Sequence, residues 1–302
     1  MHSNSLVSII VSDLETHPSL PRLLQSISRQ STGLDQIEII VAGNGSHSPS
    51  ALSIWTAITG TESIRLENLG NSPNPAIARN TAANSANGDM LLFLRPDYRL
   101  DPKYLTTALS VFADHPETDI MYTDYIRLAS KKDNNSRPGM VQLPDFSDNA
   151  LQTRSFLGPA VLLTRSAWES TLGFRDNTVY RDWDLWVQAA LAGNEFYHVN
   201  YPLASCENHK VSFRERAEDG RYKAIIVINN QSFFHMHTVR WALSYLRGDA
   251  WAAAYNFMTI PDPMDVTKMM HDFNMKQMGT DSMAEKAIRQ FDQAARNSEA
   301  VL

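Results

Sequence analysis

Residues 91–100, LLFLRPDYRL, set an unbroken apolar run against a turn. Leu91 to Leu94 make the continuous hydrophobic stretch of a strand covered on both faces, and Arg95-Pro96-Asp97 ends it with turn chemistry. A strand buried on both faces belongs to a sheet with helices on either side, so the flanking sequence should switch between two periods. Asp97, at the strand's tip, has two readings: a solvated turn former, or a ligand at the mouth of a site.

Upstream, the two periods alternate. LVSIIV (6–11) is a short β-branched run, LPRLLQSISRQ (20–30) has helical spacing at Leu20, Leu23, Leu24 and Ile27, and IEIIVA (37–42) is another buried strand. Ala51 to Thr59 reads as a helix, SIRLEN (63–68) as a short strand and Ala76 to Asn87 as an alanine-rich helix. This order predicts an α/β fold with a doubly wound, largely parallel sheet. Ligands of such sheets bind beyond the carboxyl ends of the strands, so the turns after Val11, Ala42 and Leu94 should meet at one crevice.

Downstream, the spacing predicts a helix over 102–114 and a strand over 120–124. KKDNNSRPGM (131–140) is polar and reads as a mobile loop, an insertion or a lid. PAVLLTRSAW (159–168) looks like a strand entering a helix, and DWDLWVQAALAG (182–193) like a helix closed by Gly193. The sheet pattern fades after Tyr201, and helical spacing over 219–258 and 263–296 predicts an appendage. The expected division is an α/β domain over 1–218 and an α-helical extension over 219–302. Phe233, Phe234, Trp241, Tyr245, Trp251, Tyr255 and Phe257, with Met264, Met269, Met270, Met275 and Met278, suit internal packing or a homo-oligomer contact.

Composition narrows the function. Of 302 residues 43% are hydrophobic, ample for a core, and a net charge of -6 gives no basic excess to attract nucleic acid or acidic lipid. A single cysteine, Cys206, excludes an intramolecular disulfide and fits a reducing, cytoplasmic setting. No apolar stretch approaches the ~20 residues of a membrane span, and the N-terminal apolar run lacks the basic flank of a signal peptide.

The run LVSIIV…LPRLLQSISRQS…IEIIVAGNGSHS, then NLGNSPNPAIARNTAANSANGDMLLFLRPD, is similar to the nucleotide-binding half of family 2 glycosyltransferases of the GT-A fold. The likeness continues through GFRDNTVYRDWDLWVQAALAG to YPLASCENHKVS, roughly residues 5 to 213. The resemblance implies a nucleotide-sugar donor, commonly a UDP-sugar, lying across the strand ends. It also implies a divalent cation (Mn²⁺ or Mg²⁺) bridging the diphosphate to an Asp-x-Asp turn, and inverting, hexosyltransferase-like transfer with one carboxylate as base. A fixed cation is useful there because negative charge develops on the leaving diphosphate. Residue by residue, the resemblance assigns Ser12, Asp13, Glu15, Gly43, Asn44, Arg79, Arg95 and Asp97 to the donor, Asp97 and His209 to the metal, and Asp182 to the base. The acceptor, whether saccharide, lipid or protein, is not specified by any motif.

Several positions depart from the family pattern. Gly43 and Asn44 stand where an Asp usually reads the nucleoside, Arg95 replaces the first Asp of Asp-x-Asp, Arg181 the Glu before the base, and Gln188 an acceptor-side Arg. Two acids have become arginines, so the cleft should hold metal less well and anionic oxygen better. Three readings follow: an active glycosyltransferase with a weakened metal requirement; a degenerate GT-A domain serving as a binding or scaffold subunit; and a nucleotidyltransferase, against which SDLETHPSL after the first strand contains no glycine. In RDWDLW, Asp182 and Asp184 are two apart on a helix, so at most one faces the crevice.

Overall fold

The computed structural model describes residues 6–12, 18–43, 48–60, 64–68, 74–129, 137–207 and 213–277. The chain divides into two compact units, Met1–Ala217 and Glu218–Leu302.

In the first unit, β1 (Val7–Val11), α1 (Leu20–Ser28), β2 (Ile37–Gly43), α2 (Ser48–Thr59), β3 (Ile64–Asn68), α3 (Pro75–Ser85) and β4 (Met90–Leu94) follow one another as the periodicity requires. After them come β5 (Tyr98–Leu100), α4 (Tyr104–Asp114), β6 (Ile120–Leu128), β7 (Gly139–Val141), α5 (Asp148–Thr153), β8 (Val161–Thr164), α6 (Arg165–Glu169), α7 (Arg181–Leu191) and β9 (Phe196–Glu207). Among the described residues one nine-stranded sheet runs β3-β2-β1-β4-β8-β6-β9-β5, with β7 added beside β6. The α/β layering expected from the sequence is the one observed.

Parallel pairing covers β3, β2, β1 and β4, and returns between β6 and β9; β8 is antiparallel to both of its neighbours. In the parallel part Val11 lies opposite both Val41 and Leu94, so three strands end at one edge. Ser12 donates its backbone N–H to the Leu94 carbonyl at 3.3 Å, which extends the β1–β4 pairing into the turns. The core beneath is formed by Ile9, Val11, Leu23, Leu24, Ile27, Val41, Trp55, Leu92, Leu94 and Tyr104, all but Trp55 and Tyr104 apolar throughout.

Two helices matter for the site. Pro75 stands at the start of α3 and the Asn74 side chain accepts from the Ala76 N–H at 2.9 Å, so the first turn is both preset and capped. The buried face of α3 is Ala76, Ala78, Arg79, Ala82 and Ala83. Small side chains let it lie close, and at the following Gly88 a Cβ would meet the Ser8 hydroxyl at 2.5 Å and the Leu6 carbonyl at 2.7 Å. The approach of α3 to β1 therefore requires glycine at 88. Helix α7 carries Asp182 and Asp184 in its first turn, where carboxylates complement the positive end of the helix.

Two sequence expectations need correction. The sheet does not fade after Tyr201: β9 continues to Glu207, paired with β6 on one side and β5 on the other. Its final stretch, YPLASCE, is mixed in polarity because most of the strand is only half-buried, so it lacks the apolar run that marks a central strand. Within 131–140, read as a loop throughout, Gly139 and Met140 belong to β7, where Met140 lies opposite Ile126. Residues 131–136 of that segment lie outside the described residues.

The second unit holds most of α8 (Phe213–Asn229), then α9 (Met236–Arg247) and a helix α10 over 263–277. Phe233, Phe234 and Trp241 are buried in it, and the Trp241 indole donates to the Ala253 carbonyl at 3.0 Å. Met264 and Met275 are exposed.

Candidate active site

The site is built where β1 and β4 end, by side chains that arrive from α3 and α7. Arg79 is buried on the underside of α3. Its Nε donates to the Ser12 hydroxyl at 2.9 Å and its Nη1 to the Asp182 carboxylate at 3.0 Å. The guanidinium carbon also stands 5.0 Å above the Phe174 ring, a cation–π contact from the third side. One guanidinium thus joins the end of β1 to the start of α7.

The next residue fixes that platform. Asn80 donates to the Phe174 carbonyl and accepts from the Phe174 N–H, both at 2.9 Å. Gly173 has φ of +69°, and a Cβ there would come within 2.8 Å of the Asn80 amide oxygen, so glycine is required on both counts. The sequence ARN therefore divides its labour: Ala78 packs, Arg79 spans the site and Asn80 holds the segment bearing Phe174.

After β4, Asp97 is almost wholly buried while its carboxylate accepts from Arg95 Nε at 3.0 Å. The Asp97 carbonyl takes the Glu207 N–H at 3.3 Å, which ties the turn to the end of β9. The Arg95 guanidinium lies 5.6 Å from the Tyr98 ring. Burial holds the Tyr98 hydroxyl well above the usual tyrosine range; Arg95 opposes that shift, Asp182 and Asp97 add to it and Arg79 opposes it again. The half-buried Tyr98 phenol thus stands in the field of Arg95, Asp182, Asp97 and Arg79 together.

The structure brings together Ser12, Arg79, Arg95, Asp97 and Asp182 among the residues anticipated from the sequence. Gly43 closes β2 at the same edge, opposite Asn68 of β3. Asp13, Glu15, Asn44 and His209 lie outside the described residues. Asp182 and Asp184 diverge as two residues on one helical turn must. The Asp182 side chain is 52% exposed. Asp184 is fully buried, bonded to Arg175 at 3.0 Å and to the Gln188 amide at 3.0 Å. Gln188 also donates to the Gly173 carbonyl and accepts from the Leu172 N–H, so it braces the 172–175 segment.

Tyr98 and Phe174 escaped the sequence reading. Their only signal was adjacency, Tyr98 beside Asp97 and Phe174 beside Gly173, because an aromatic next to a polar turn reads as ordinary packing.

A divalent cation needs several hard oxygen donors. Among the described residues no group of three or more His, Cys, Asp or Glu side chains could hold one. The one carboxylate at the turn, Asp97, is engaged by Arg95. Of the two anticipated ligands only Asp97 is described, and it is held by Arg95; His209 lies outside the described residues.

An open α/β sheet flanked by helices, its first strands ending at one crevice, is the GT-A glycosyltransferase fold, and solved structures share it. The mannosyltransferase PcManGT from Pyrobaculum calidifontis, in complex with GDP-Man and Mn²⁺, aligns with a TM-score of 0.55 and 18% identity over 76% of this chain. The match covers 64% of that protein's length. S. aureus TarS 1-349 in complex with UDP-GlcNAc aligns with a TM-score of 0.59 and 16% identity, over 80% of this chain and 71% of that one. The description "Glycosyl transferase family 2" matches residues 8–165, more than half of the chain, and the protein belongs to that family. A search of curated protein sequences returned no match. No described helix is long and apolar enough to cross a membrane.

Proposed function

We propose that this protein transfers a sugar with inversion from a nucleotide-sugar, a UDP-sugar by preference, to an acceptor hydroxyl. The observation that carries the reading is Arg79, which binds the strand-end Ser12 and the exposed carboxylate of Asp182 at once, beside a second cation at Arg95. In this reading the donor diphosphate lies over the ends of β1 and β4, where Arg95 and Arg79 oppose the charge that grows on the leaving group. Asp182 accepts the acceptor's proton as its oxygen attacks the anomeric carbon from the far side. The new carbon–oxygen bond forms while the bond to the diphosphate breaks. Fixed guanidinium charge at the turn takes over part of what a cation supplies elsewhere, so donor binding should depend only weakly on metal.

Thermal denaturation with UDP, GDP, CDP and TDP, each with Mn²⁺ or with EDTA, tests this. UDP at 100 times Kd should add about 2.7 kcal/mol, a rise in Tm of several degrees that persists in EDTA. Stabilisation that vanishes with chelator and returns with Mn²⁺ would refute the weak metal requirement. A second reading, a binding or scaffold subunit, draws support from Arg95, a cation where the family carries an acid. Nucleotide binding without turnover of any donor would favour it.

A further inference from the structure

A separate groove of about 490 Å³ opens between α1, β5 and β9, lined by Arg22, Gln25 and Ser26 of α1, by Arg29 at its C-cap and by Arg99 and Ser205 of the strands, among others. The first four stand at i, i+3, i+4 and i+7, one face of a helix whose opposite face buries Leu20, Leu23, Leu24 and Ile27. Arg22 and Arg29 are thus two turns apart, about 10 Å along the helix axis. Arg99 reaches the groove from β5.

The groove has more positive charge than its carboxylates answer. Arg22 and Arg99 share a single oxygen of Glu207, at 3.6 and 3.3 Å, and that oxygen also takes the Ser19 hydroxyl at 2.8 Å. Asp101, at the groove wall, spends one carboxylate oxygen on the Lys103 N–H. No carboxylate of the described residues bonds Arg29. This excess is local, in a protein of net charge -6.

We propose that this groove is a second ligand site, one that holds the oxyanion groups of an acidic saccharide chain. Guanidinium groups spaced along a helix match sulfate, phosphate or carboxylate groups repeated along a chain better than they match one small ion. Gln25 and Ser205 supply amide and hydroxyl partners for sugar hydroxyls. Among the described residues no aromatic side chain lines the groove, so these residues offer a nucleobase no stacking platform. The wall is joined to the proposed donor crevice through Glu207, whose N–H binds the Asp97 carbonyl.

Calorimetric titration of the full chain in 150 mM salt, with and without saturating UDP and Mn²⁺, tests the assignment. Sucrose octasulfate and tri-galacturonate serve as sulfate and carboxylate probes, with maltotriose and inorganic phosphate of matched ionic strength as controls. At least one acidic saccharide should bind with sub-millimolar Kd whether or not UDP is present, and the double variant Arg22→Ala/Arg29→Ala should weaken it tenfold or more. Both side chains are exposed, so the variant folds; its thermal midpoint and its response to UDP should match the parent's. Displacement of the probe by UDP, indifference to the double substitution, or no binding of either acidic saccharide would overturn the proposal. Equal binding by maltotriose, or equal displacement by phosphate, would overturn its saccharide part. A chain that binds the probe through these arginines yet ignores every nucleotide would retain the groove and lose the donor reading.

Discussion

Arg79 occupies a position where a helix normally buries alanine, and its charge is held there by a hydroxyl, a carboxylate and an aromatic face. The sequence showed the arginine but not its partners, since Ser12 is 67 and Asp182 103 residues away. Arg181 is the cation next to Asp182 in sequence, yet a hydrogen bond to the Asp182 carboxylate comes from Arg79, on α3. Asp182→Asn should abolish sugar transfer, measured with a donor that turns over in the parent, while leaving UDP-induced stabilisation intact. Near-normal transfer by that variant would remove Asp182 from the base role. Asp184→Asn should do the reverse, costing about 1–3 kcal/mol of stability because it weakens a buried charge-assisted pair, with transfer by the folded fraction unchanged. Tyr104 offers a third single-residue test. Its hydroxyl is buried and has no hydrogen-bond partner among the described residues, so Tyr104→Phe should raise stability by about 1 kcal/mol or more, read as a higher urea midpoint.

Elements with one dominant period were legible, and those that depend on distant partners were not. β1, β2, β4 and α1 follow directly from runs such as VSIIV and LPRLLQSIS. β5 and β7 have three residues each and exist because β9 and β6 pair with them. Such strands have too few residues to express an alternation. In α8 the informative residue is Lys223, fully buried and paired with Asp219 one turn earlier, with Nζ also 2.7 Å from the Asn256 carbonyl. Helical spacing alone would have placed a lysine outside. Burial lowers the Lys223 ammonium below its ordinary value, and the bond to Asp219 opposes that shift. Asp219→Ala should cost about 3–5 kcal/mol by leaving a buried ammonium without its counter-ion. The unfolded chain holds the Lys223 proton more tightly than the folded one, so stability from this group rises with pH through the window below the ordinary lysine value. Denaturant midpoints compared at increasing alkalinity should therefore show the Asp219→Ala deficit shrinking.

Across the whole molecule the site is an assembly of far-separated segments, and the sheet order gives this a temporal meaning. β5 follows β4 almost at once, yet its partner is β9, with Tyr98 opposite Cys206. β4 in turn waits for β8, with Leu92 opposite Leu162. At ribosomal speeds of about 5–20 residues per second, the interval between making β5 and making its partner is roughly 5–20 seconds. Until β8 is made, roughly the first two-thirds of that interval, the nascent chain presents β1, β2 and β4 already able to pair, with the free edge of β4 open and fully apolar. An unpaired edge of that kind is a template for wrong pairing. Synthesis that pauses between residues 100 and 160 should therefore aggregate more than synthesis that pauses after β9, and the crevice itself comes into being only as the last strands of the sheet leave the ribosome.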